Sequence, residues 1–344
     1  MKIALRCDCS PTMGTGHVIR SLALAEEFLA RGDEVVMLGS TNGMAWPEQQ
    51  IAARGLRMMP AAEEPDAFVA QLRELGVDAV DLDGYELAPE LGRALLAAGI
   101  PAMTMVDGPF GLHQHADLYV DQNYGAVQAD RPVADSQMLA GIEYALLRNV
   151  VLDRRDAPRP EGERPRVLVV FGGSDPWGGA RAVVPLILAA VEQVEIIAIA
   201  ANPEIAAELS ALPVLPGQQL EVVGLVDDLP GLATTCTAAI SAAGTSIWEF
   251  LCLGVPTGLV AVTENQLVGY REVQGADLIV PVGELAKLDG EGREPAIEAI
   301  AALLTDRDLQ RRLSANATAV VDGRGRARVA DALSALVPCI YRVR

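Results

Sequence analysis

Short apolar runs alternate with amphipathic stretches along almost the whole chain. Runs of this length are typical of buried strands, whereas the stretches between them repeat apolar residues at helical spacing. The alternation predicts the α/β class, with mostly parallel sheets covered by helices on both faces. In the first half we predict strands at 3–6, 34–38, 56–59, 79–82, 102–106 and 118–121, with helices at 19–29, 68–75 and 91–98.

The alternation stops near residue 152 and starts again after residue 165. The stretch between is charged, holds three prolines and lacks apolar periodicity, as linkers do. We therefore predict Rossmann-like domains at 1–151 and 166–344, joined by a linker at 152–165. In the second domain we predict strands at 167–171, 195–200, 220–225, 238–241, 257–262 and 278–282, a helix at 182–191 and a helical tail from 307 onward.

Composition limits the kinds of partner. The 344 residues carry a net charge of −19. An acidic surface repels nucleic acids and anionic lipids, so we expect neither as a partner. No apolar run is long and clean enough to span a bilayer, and the first residues lack a secretory signal, so we expect a cytoplasmic protein. Five cysteines at spacings that fit no zinc site indicate reduced thiols rather than a metal centre.

One of only three histidines lies in a glycine turn, Gly14-Thr15-Gly16-His17, where the first strand passes to the first helix. Ligands of open α/β sheets bind at this edge, and glycine lets the backbone approach them closely. The positive end of the helix disfavours an imidazolium, so we expect a neutral ring that can accept a proton. A capping or packing histidine fits the same residues, and the spacing matches neither a dinucleotide fingerprint nor a P-loop.

Two motifs of the second domain resemble this turn. Gly172-Gly173-Ser174 ends its first strand and offers amides and a hydroxyl to a phosphate. Ser174 or Asp175 can also cap the next helix, and the two interpretations are compatible. Farther on, Ser241 ends a strand and Glu249 follows in a helix. A carboxylate there can accept hydrogen bonds from sugar hydroxyls or interact with the helix dipole.

These motifs, in this order, resemble the UDP-sugar hydrolases of the pseudaminic acid pathway and the related spore-coat polysaccharide proteins. That family is similar to the GT-B glycosyltransferases. The resemblance covers nearly the whole chain. It rests on Arg6-x-Asp8, Gly14-x-Gly16-His17-x-x-Arg20, Asp83-x-Tyr85, Asp121-Gln122-Asn123, Tyr144 to Arg148, Phe171 to Pro176, Ser241 to Gly244, Trp248-Glu249, Glu264-Asn265-Gln266 and Asp322 to Val329.

The resemblance implies a GT-B-like fold of two parallel-sheet domains facing across a cleft. It implies removal of UDP from UDP-2,4-diacetamido-2,4,6-trideoxy-altropyranose by water, with inversion and without metal or cofactor. His17 is then the catalytic residue that positions or deprotonates the water. Substrate-binding positions are Gly14, Thr15, Gly16, Arg20, Asp83, Tyr85, Asn123, Glu264, Asn265 and Gln266; nucleotide-binding positions are Gly172, Gly173, Ser174, Ser241, Ala243, Gly244, Thr245, Ser246 and Glu249, the last holding the ribose.

Two other functions stay open. Many relatives carry an acidic pair where this chain has Asp107-Gly108 followed by Pro109-Phe110. An inverting GT-B glycosyltransferase that moves a sugar from a UDP-sugar to a polymer or natural-product acceptor is therefore the alternative. A nucleotide-sugar-binding protein without catalysis is the third possibility. We expect a UDP-sugar as the small-molecule partner and a monomer or weak dimer.

Overall fold

The chain folds into two compact units, each built on one parallel sheet. Unit 1 comprises Met1–Asn149 and the chain from Gly323 onward, and unit 2 comprises Val150–Asp322. The predicted α/β class is confirmed in both units. The computed structural model describes residues Met1–Pro11, Met13–Pro160, Gly162, Arg164–Gly172, Asp175–Gly244 and Ser246–Val337.

Unit 1 is a seven-stranded sheet in the order β3-β2-β1-β4-β5-β6-β7. The order reverses between β1 and β4, and this is where α/β sheets bind ligands. The predicted strands are present, and β7 and α2 are additional. The elements are β1 (Lys2–Asp8), β2 (Glu34–Ser40), β3 (Met58–Met59), β4 (Ala79–Asp83), β5 (Ala102–Met105), β6 (Leu118–Asp121) and β7 (Gln137–Ala140), with α1 (Gly16–Ala30), α2 (Ala45–Ala52), α3 (Pro65–Leu75), α4 (Pro89–Ala98) and, at the unit boundary, α5 (Asn149–Leu152).

Unit 2 is a six-stranded sheet in the order β10-β9-β8-β11-β12-β13, with its reversal between β8 and β11. No helix among the described residues is both long enough and apolar enough to cross a membrane. The strands are β8 (Arg166–Val170), β9 (Val194–Ile199), β10 (Gln218–Val223), β11 (Ala238–Ala242), β12 (Thr257–Ala261) and β13 (Val280–Glu284). The helices are α6 (Gly179–Ala190), α7 (Pro203–Ser210), α8 (Leu229–Thr234), α9 (Ser246–Cys252), α10 (Leu267–Gly275), α11 (Arg293–Thr305) and α12 (Arg307–Val320).

The last helix, α13 (Gly325–Leu336), differs from the sequence-based expectation, which placed everything from 166 to 344 in the second domain. It packs on unit 1, where Val329 and Leu333 are fully buried in the core that also holds the β1 side chain Leu5. Its first residue must be small, because a Cβ on Gly325 would lie 2.3 Å from the carbonyl oxygen of Ala145. Chain order therefore misassigned a helix whose apolar face matches the first sheet.

Polar contacts also join α13 to the rest of unit 1. The Arg326 guanidinium donates to Glu26 at 3.1 Å and to the Asn149 side chain at 2.6 Å. Glu26 also accepts from Arg54 at 2.7 Å. This buried carboxylate thus links α1 to the turn just after α2 and to α13, with an arginine on each side to compensate for its burial.

Leu333→Ala should destabilise unit 1 by about 2–5 kcal/mol, because a fully buried leucine is truncated and a cavity remains. Hydrogen–deuterium exchange should become faster in β1 and β6 and stay unchanged in β8 and β11. Leu336→Ala, in the same helix but only partly buried, is the control and should cost less. Loss of protection in unit 2 instead would contradict the placement of α13.

Candidate functional site

The predicted histidine lies at the switch point of the unit 1 sheet. Gly14 adopts φ 83°, a left-handed conformation that favours glycine, and α1 then begins with Gly16 and His17. Thr15 precedes the helix without capping it through its side chain. β1 pairs with β4 so that Cys7 is opposite Asp83. The helix start and the end of β4 therefore meet at one sheet edge.

His17, Arg20 and Asp83 form a buried cluster there, with at most 5% of each residue exposed. His17 Nδ1 lies 2.6 Å from Asp83 Oδ1. Arg20 Nε donates to Asp83 Oδ2 at 2.5 Å, and Arg20 Nη2 donates to Oδ1. The structure thus brings together three of the predicted residues. It also gives the histidine a carboxylate partner that the sequence analysis, which considered only the helix, did not identify.

The charge of Asp83 fixes the position of the histidine proton. Burial alone would raise the pKa of Asp83, but the Arg20 guanidinium and the His17 ring outweigh it and hold this pKa well below its usual range. An ionised carboxylate can only accept, so the proton of the 2.6 Å contact is on His17 Nδ1. In the neutral ring Nε2 is then the nitrogen that can accept a proton.

Asp81, two residues earlier on β4, is a buried acid that the sequence analysis missed. It is 1% exposed, and neither carboxyl oxygen has a hydrogen-bond partner among the described residues. Burial, together with the nearby Asp83 carboxylate, raises the pKa of Asp81 well above its usual range despite the opposing charge of Arg20. The pKa values of two carboxyl groups on one strand face are therefore shifted in opposite directions: that of Asp83 is lowered and that of Asp81 is raised.

Tyr85 and Asn123 extend the cluster toward β5 and β6. The Tyr85 ring meets the His17 ring edge-on with centroids 4.5 Å apart, and its hydroxyl donates to Asp107 at 2.7 Å. Asn123 donates to Asp121 at 2.9 Å. Burial and the Asp107 carboxylate raise the pKa of Tyr85, so the phenol stays protonated. The polar residues that follow β4, β5 and β6 therefore lie close together.

A polar cavity of about 710 Å³ borders this cluster on the side of β1, β2 and β3. Tyr85 and Met13 line it, and Met13 lies just before the glycine turn that leads to His17. This cavity could not be found from the sequence, because its walls come from four separate strand ends. Its other polar lining includes Arg6, Asp8, Ser40, Asn42, Glu63 and Glu86.

In unit 2, a side chain of the turn after β8 caps the helix that follows this turn. Gly172 has φ 72°, whereas Gly173 and Ser174 lie outside the described residues. The buried Asp175 carboxylate accepts from the amides of Gly179 at 2.7 Å and Ala180 at 2.9 Å. The start of α6 therefore gives these two amides to the protein's own carboxylate, as expected of Asp175 as a helix cap.

The remaining predicted residues lie at the neighbouring ends of β11 and β12. Ser241 is buried within β11, Ala243 and Gly244 follow it, and Ser246 and the buried Glu249 are in α9. Gln266 closes a turn by accepting from the Val262 amide at 3.1 Å. Glu264 is exposed in the same turn; Thr245 and the side chain of Asn265 lie outside the described residues. Because β8, β11 and β12 are adjacent, the positions among these that the structure describes share one sheet edge.

Comparison with known proteins supports the sequence-based resemblance. No protein-family model matches the chain. It is 23% identical to the spore coat polysaccharide biosynthesis protein SpsG of Bacillus subtilis over 98% of both chains. It superposes on MurG of Acinetobacter baumannii with a TM-score of 0.67 and 16% identity, covering 97% of this chain and 99% of MurG. The spinosyn rhamnosyltransferase SpnG, solved with thymidine diphosphate, superposes with a TM-score of 0.63 and 16% identity, covering 96% of this chain and 100% of SpnG.

These likenesses confirm two predictions. The alignment with SpsG confirms the resemblance to the spore-coat polysaccharide proteins. The two solved structures confirm the GT-B-like fold, since each matches nearly the full length of the chain.

Asp81→Asn should stabilise the protein at neutral pH but not in acid. The folded state keeps the Asp81 proton to a higher pH than the unfolded chain does. The contribution of Asp81 to wild-type stability therefore falls by about 1.4 kcal/mol per pH unit as the pH rises from about 4 toward the folded pKa. Asparagine does not titrate, so the advantage of the variant should grow over that interval.

Equilibrium urea unfolding at several pH values measures this difference. Asp130→Asn, at an exposed position, is the control and should show no such pH dependence. A difference between Asp81→Asn and wild type that is the same at all pH values would contradict a raised pKa of Asp81 in the folded state.

Proposed function

We propose that the chain hydrolyses a UDP-sugar to UDP and the free sugar. The observation that carries the proposal is the His17–Asp83–Arg20 cluster, which leaves Nε2 of a buried histidine as a proton acceptor at the switch point of the sheet. A general base of this type accelerates attack by water by about 10²–10⁴-fold. Asp83 holds the ring in the required tautomer, as the orienting carboxylate does in other histidine bases.

The proposed step displaces UDP from C1 of the sugar. The water oxygen forms a bond to C1 while His17 Nε2 takes one of its protons. The bond between C1 and the diphosphate oxygen breaks, and its electron pair leaves with UDP. UDP is already a good leaving group, so the step does not require the paired carboxylic acids of glycosidases. Attack from the face opposite UDP inverts the configuration at C1.

The comparisons support the class of substrate. SpsG is named for spore coat polysaccharide biosynthesis, and SpnG is named as a rhamnosyltransferase and binds a pyrimidine nucleoside diphosphate. We propose by likeness that this chain acts in surface-polysaccharide or nonulosonic-acid synthesis, on a diacetamido-trideoxy type of sugar. In unit 2, Glu249 is proposed to hold the ribose, and the turns after β8 and β11 to contact the nucleotide.

A second candidate, an inverting glycosyltransferase, is favoured by the cavity beside Tyr85. A water molecule occupies about 30 Å³, whereas this cavity of about 710 Å³ is in the size range of small-molecule sites. In that reaction an acceptor hydroxyl replaces water, and its proton passes to the same nitrogen of His17.

His17→Asn should lower the kcat of UDP release by about 10²–10⁴-fold with little change in UDP affinity, because the base is removed and the nucleotide contacts are not. A screen of UDP- and TDP-sugars with coupled detection of the released diphosphate measures it. In ¹⁸O-labelled water the label should appear in the sugar, and the product anomer should be inverted.

His113→Asn is the matched control, because this second histidine lies in a loop of the same unit and its ring contacts the carbonyl oxygen of Leu87. It should release UDP at the wild-type rate. Equal rates for His17→Asn and wild type would overturn the assigned role of His17. No release from any sugar nucleotide, together with tight UDP binding, would point to the binding protein without catalysis.

A further inference from the structure

The contact with Asp83 fixes only one atom of the His17 ring. Nδ1 lies 2.6 Å from Asp83 Oδ1, and the plane of the imidazole can still tilt about this point. Such a tilt displaces Nε2, which lies across the ring. A general base must be within about 2.6–3.2 Å of the oxygen whose proton it takes. A second contact on the ring is therefore needed to keep Nε2 in place.

Tyr85 makes that second contact. Its ring meets the His17 ring at an interplanar angle of 80°, with the two centroids 4.5 Å apart. Edge-to-face packing is a preferred arrangement of two aromatic rings at such distances. A neighbour that stands perpendicular to the imidazole opposes a tilt of the imidazole plane. The direction of Nε2 therefore depends on the position of the Tyr85 ring.

Tyr85 is itself held at two points by the segment that follows β5. Its hydroxyl donates to Asp107 Oδ2 at 2.7 Å. Its ring packs against the ring of Phe110 with centroids 4.6 Å apart and an interplanar angle of 48°. The first contact fixes the far end of the tyrosine side chain, and the second restricts its ring plane. Both contacts come from one loop of four residues.

This loop is closed by its own backbone. The Asp107 N–H donates to the Phe110 carbonyl oxygen, and the Phe110 N–H donates to the Asp107 carbonyl oxygen, each at 3.1 Å. Gly111 follows at φ 84°, and a Cβ there would lie 2.1 Å from the carbonyl oxygen of Met105. The loop therefore packs tightly on the end of β5. It holds Phe110 in a defined position although 39% of this residue is exposed.

We propose that Phe110 is a positioning residue for the reaction at His17. It holds the Tyr85 ring, which in turn holds the imidazole so that Nε2 faces the attacking water. The inference rests on the proposed function, because it assigns a part of the geometry that the base requires. The phenyl ring has no proton to exchange. Its effect is therefore expected in kcat and not in the affinity for the UDP-sugar.

Phe110→Ala should lower the kcat of UDP release about tenfold and leave KM within about twofold of the wild-type value, because misplacing a reacting group by about 1 Å can cost up to 10²-fold. Phe110→Tyr keeps an aromatic ring and should retain the wild-type rate. Leu96→Ala is the matched control, because it truncates a similarly exposed apolar side chain, 43% against 39%, on α4 of the same unit. It should release UDP at the wild-type rate.

A double variant tests whether Phe110 acts through Tyr85. Tyr85→Ala removes the ring that Phe110 holds, so adding Phe110→Ala to it should lower kcat by less than about twofold more. Losses that multiply in the double variant would show that Phe110 acts independently of Tyr85, and would overturn the proposal. A raised KM with unchanged kcat in Phe110→Ala would also overturn it, since that result indicates a direct contact with the substrate.

NMR of the histidine rings, labelled with ¹³C and ¹⁵N, tests the inference without turnover. The chain has three histidines, and His17→Asn identifies the signals of His17. Phe110→Ala should shift the ring-proton signals of His17, because the Tyr85 ring moves relative to them. The proton on Nδ1 should stay, because Asp83 holds it. Leu96→Ala should change neither.

The two measurements separate the possible failures. Unchanged His17 ring-proton signals in Phe110→Ala would overturn this inference, even where UDP release by the wild type is normal. Shifted signals in a protein that releases UDP from no sugar nucleotide would support the contact chain from Phe110 to His17 and contradict only the proposed function.

Discussion

The ligand edge of unit 1 depends on one buried carboxylate. Asp83 is fully buried, and a buried ion costs several kcal/mol unless its partners compensate for the lost water. Arg20 provides the opposite charge and His17 an additional hydrogen bond. Without Asp83, the Arg20 guanidinium would be buried without a counter-ion, at a cost of about 3–5 kcal/mol. The interaction that makes this edge stable is therefore the one that decides which nitrogen of His17 is free.

The sequence predicted most of the sheet because buried parallel strands form continuous apolar runs. β1, β4 and β8 were located on this signal, and it holds wherever both faces of a strand are covered. It failed for β7, a four-residue strand that begins with an exposed glutamine. It also could not assign α13, because periodicity shows which face of a helix is apolar but not which sheet that face covers.

The sequence predicted which strand ends carry site residues, but it did not predict which of these residues contact each other. A glycine turn after an apolar run was enough to place His17 at the edge. Its contact with Asp83 joins residues 66 positions apart and follows only from the order of β1 and β4 in the sheet. Asp81 was missed because an aspartate in an apolar run looks like an interruption, whereas its side chain is buried in the core and its pKa is raised there.

The return of the chain to unit 1 through α13 bears on how the protein is made. Unit 2 is a continuous segment, Val150–Asp322, whereas unit 1 needs residues from both sides of it. During synthesis from the amino terminus, unit 2 can complete its core while the first sheet still lacks Val329 and Leu333. Domains generally fold as units as they emerge. The unit whose synthesis begins first thus cannot complete its core until unit 2 has been made, and the part of its apolar face that α13 covers stays exposed until then.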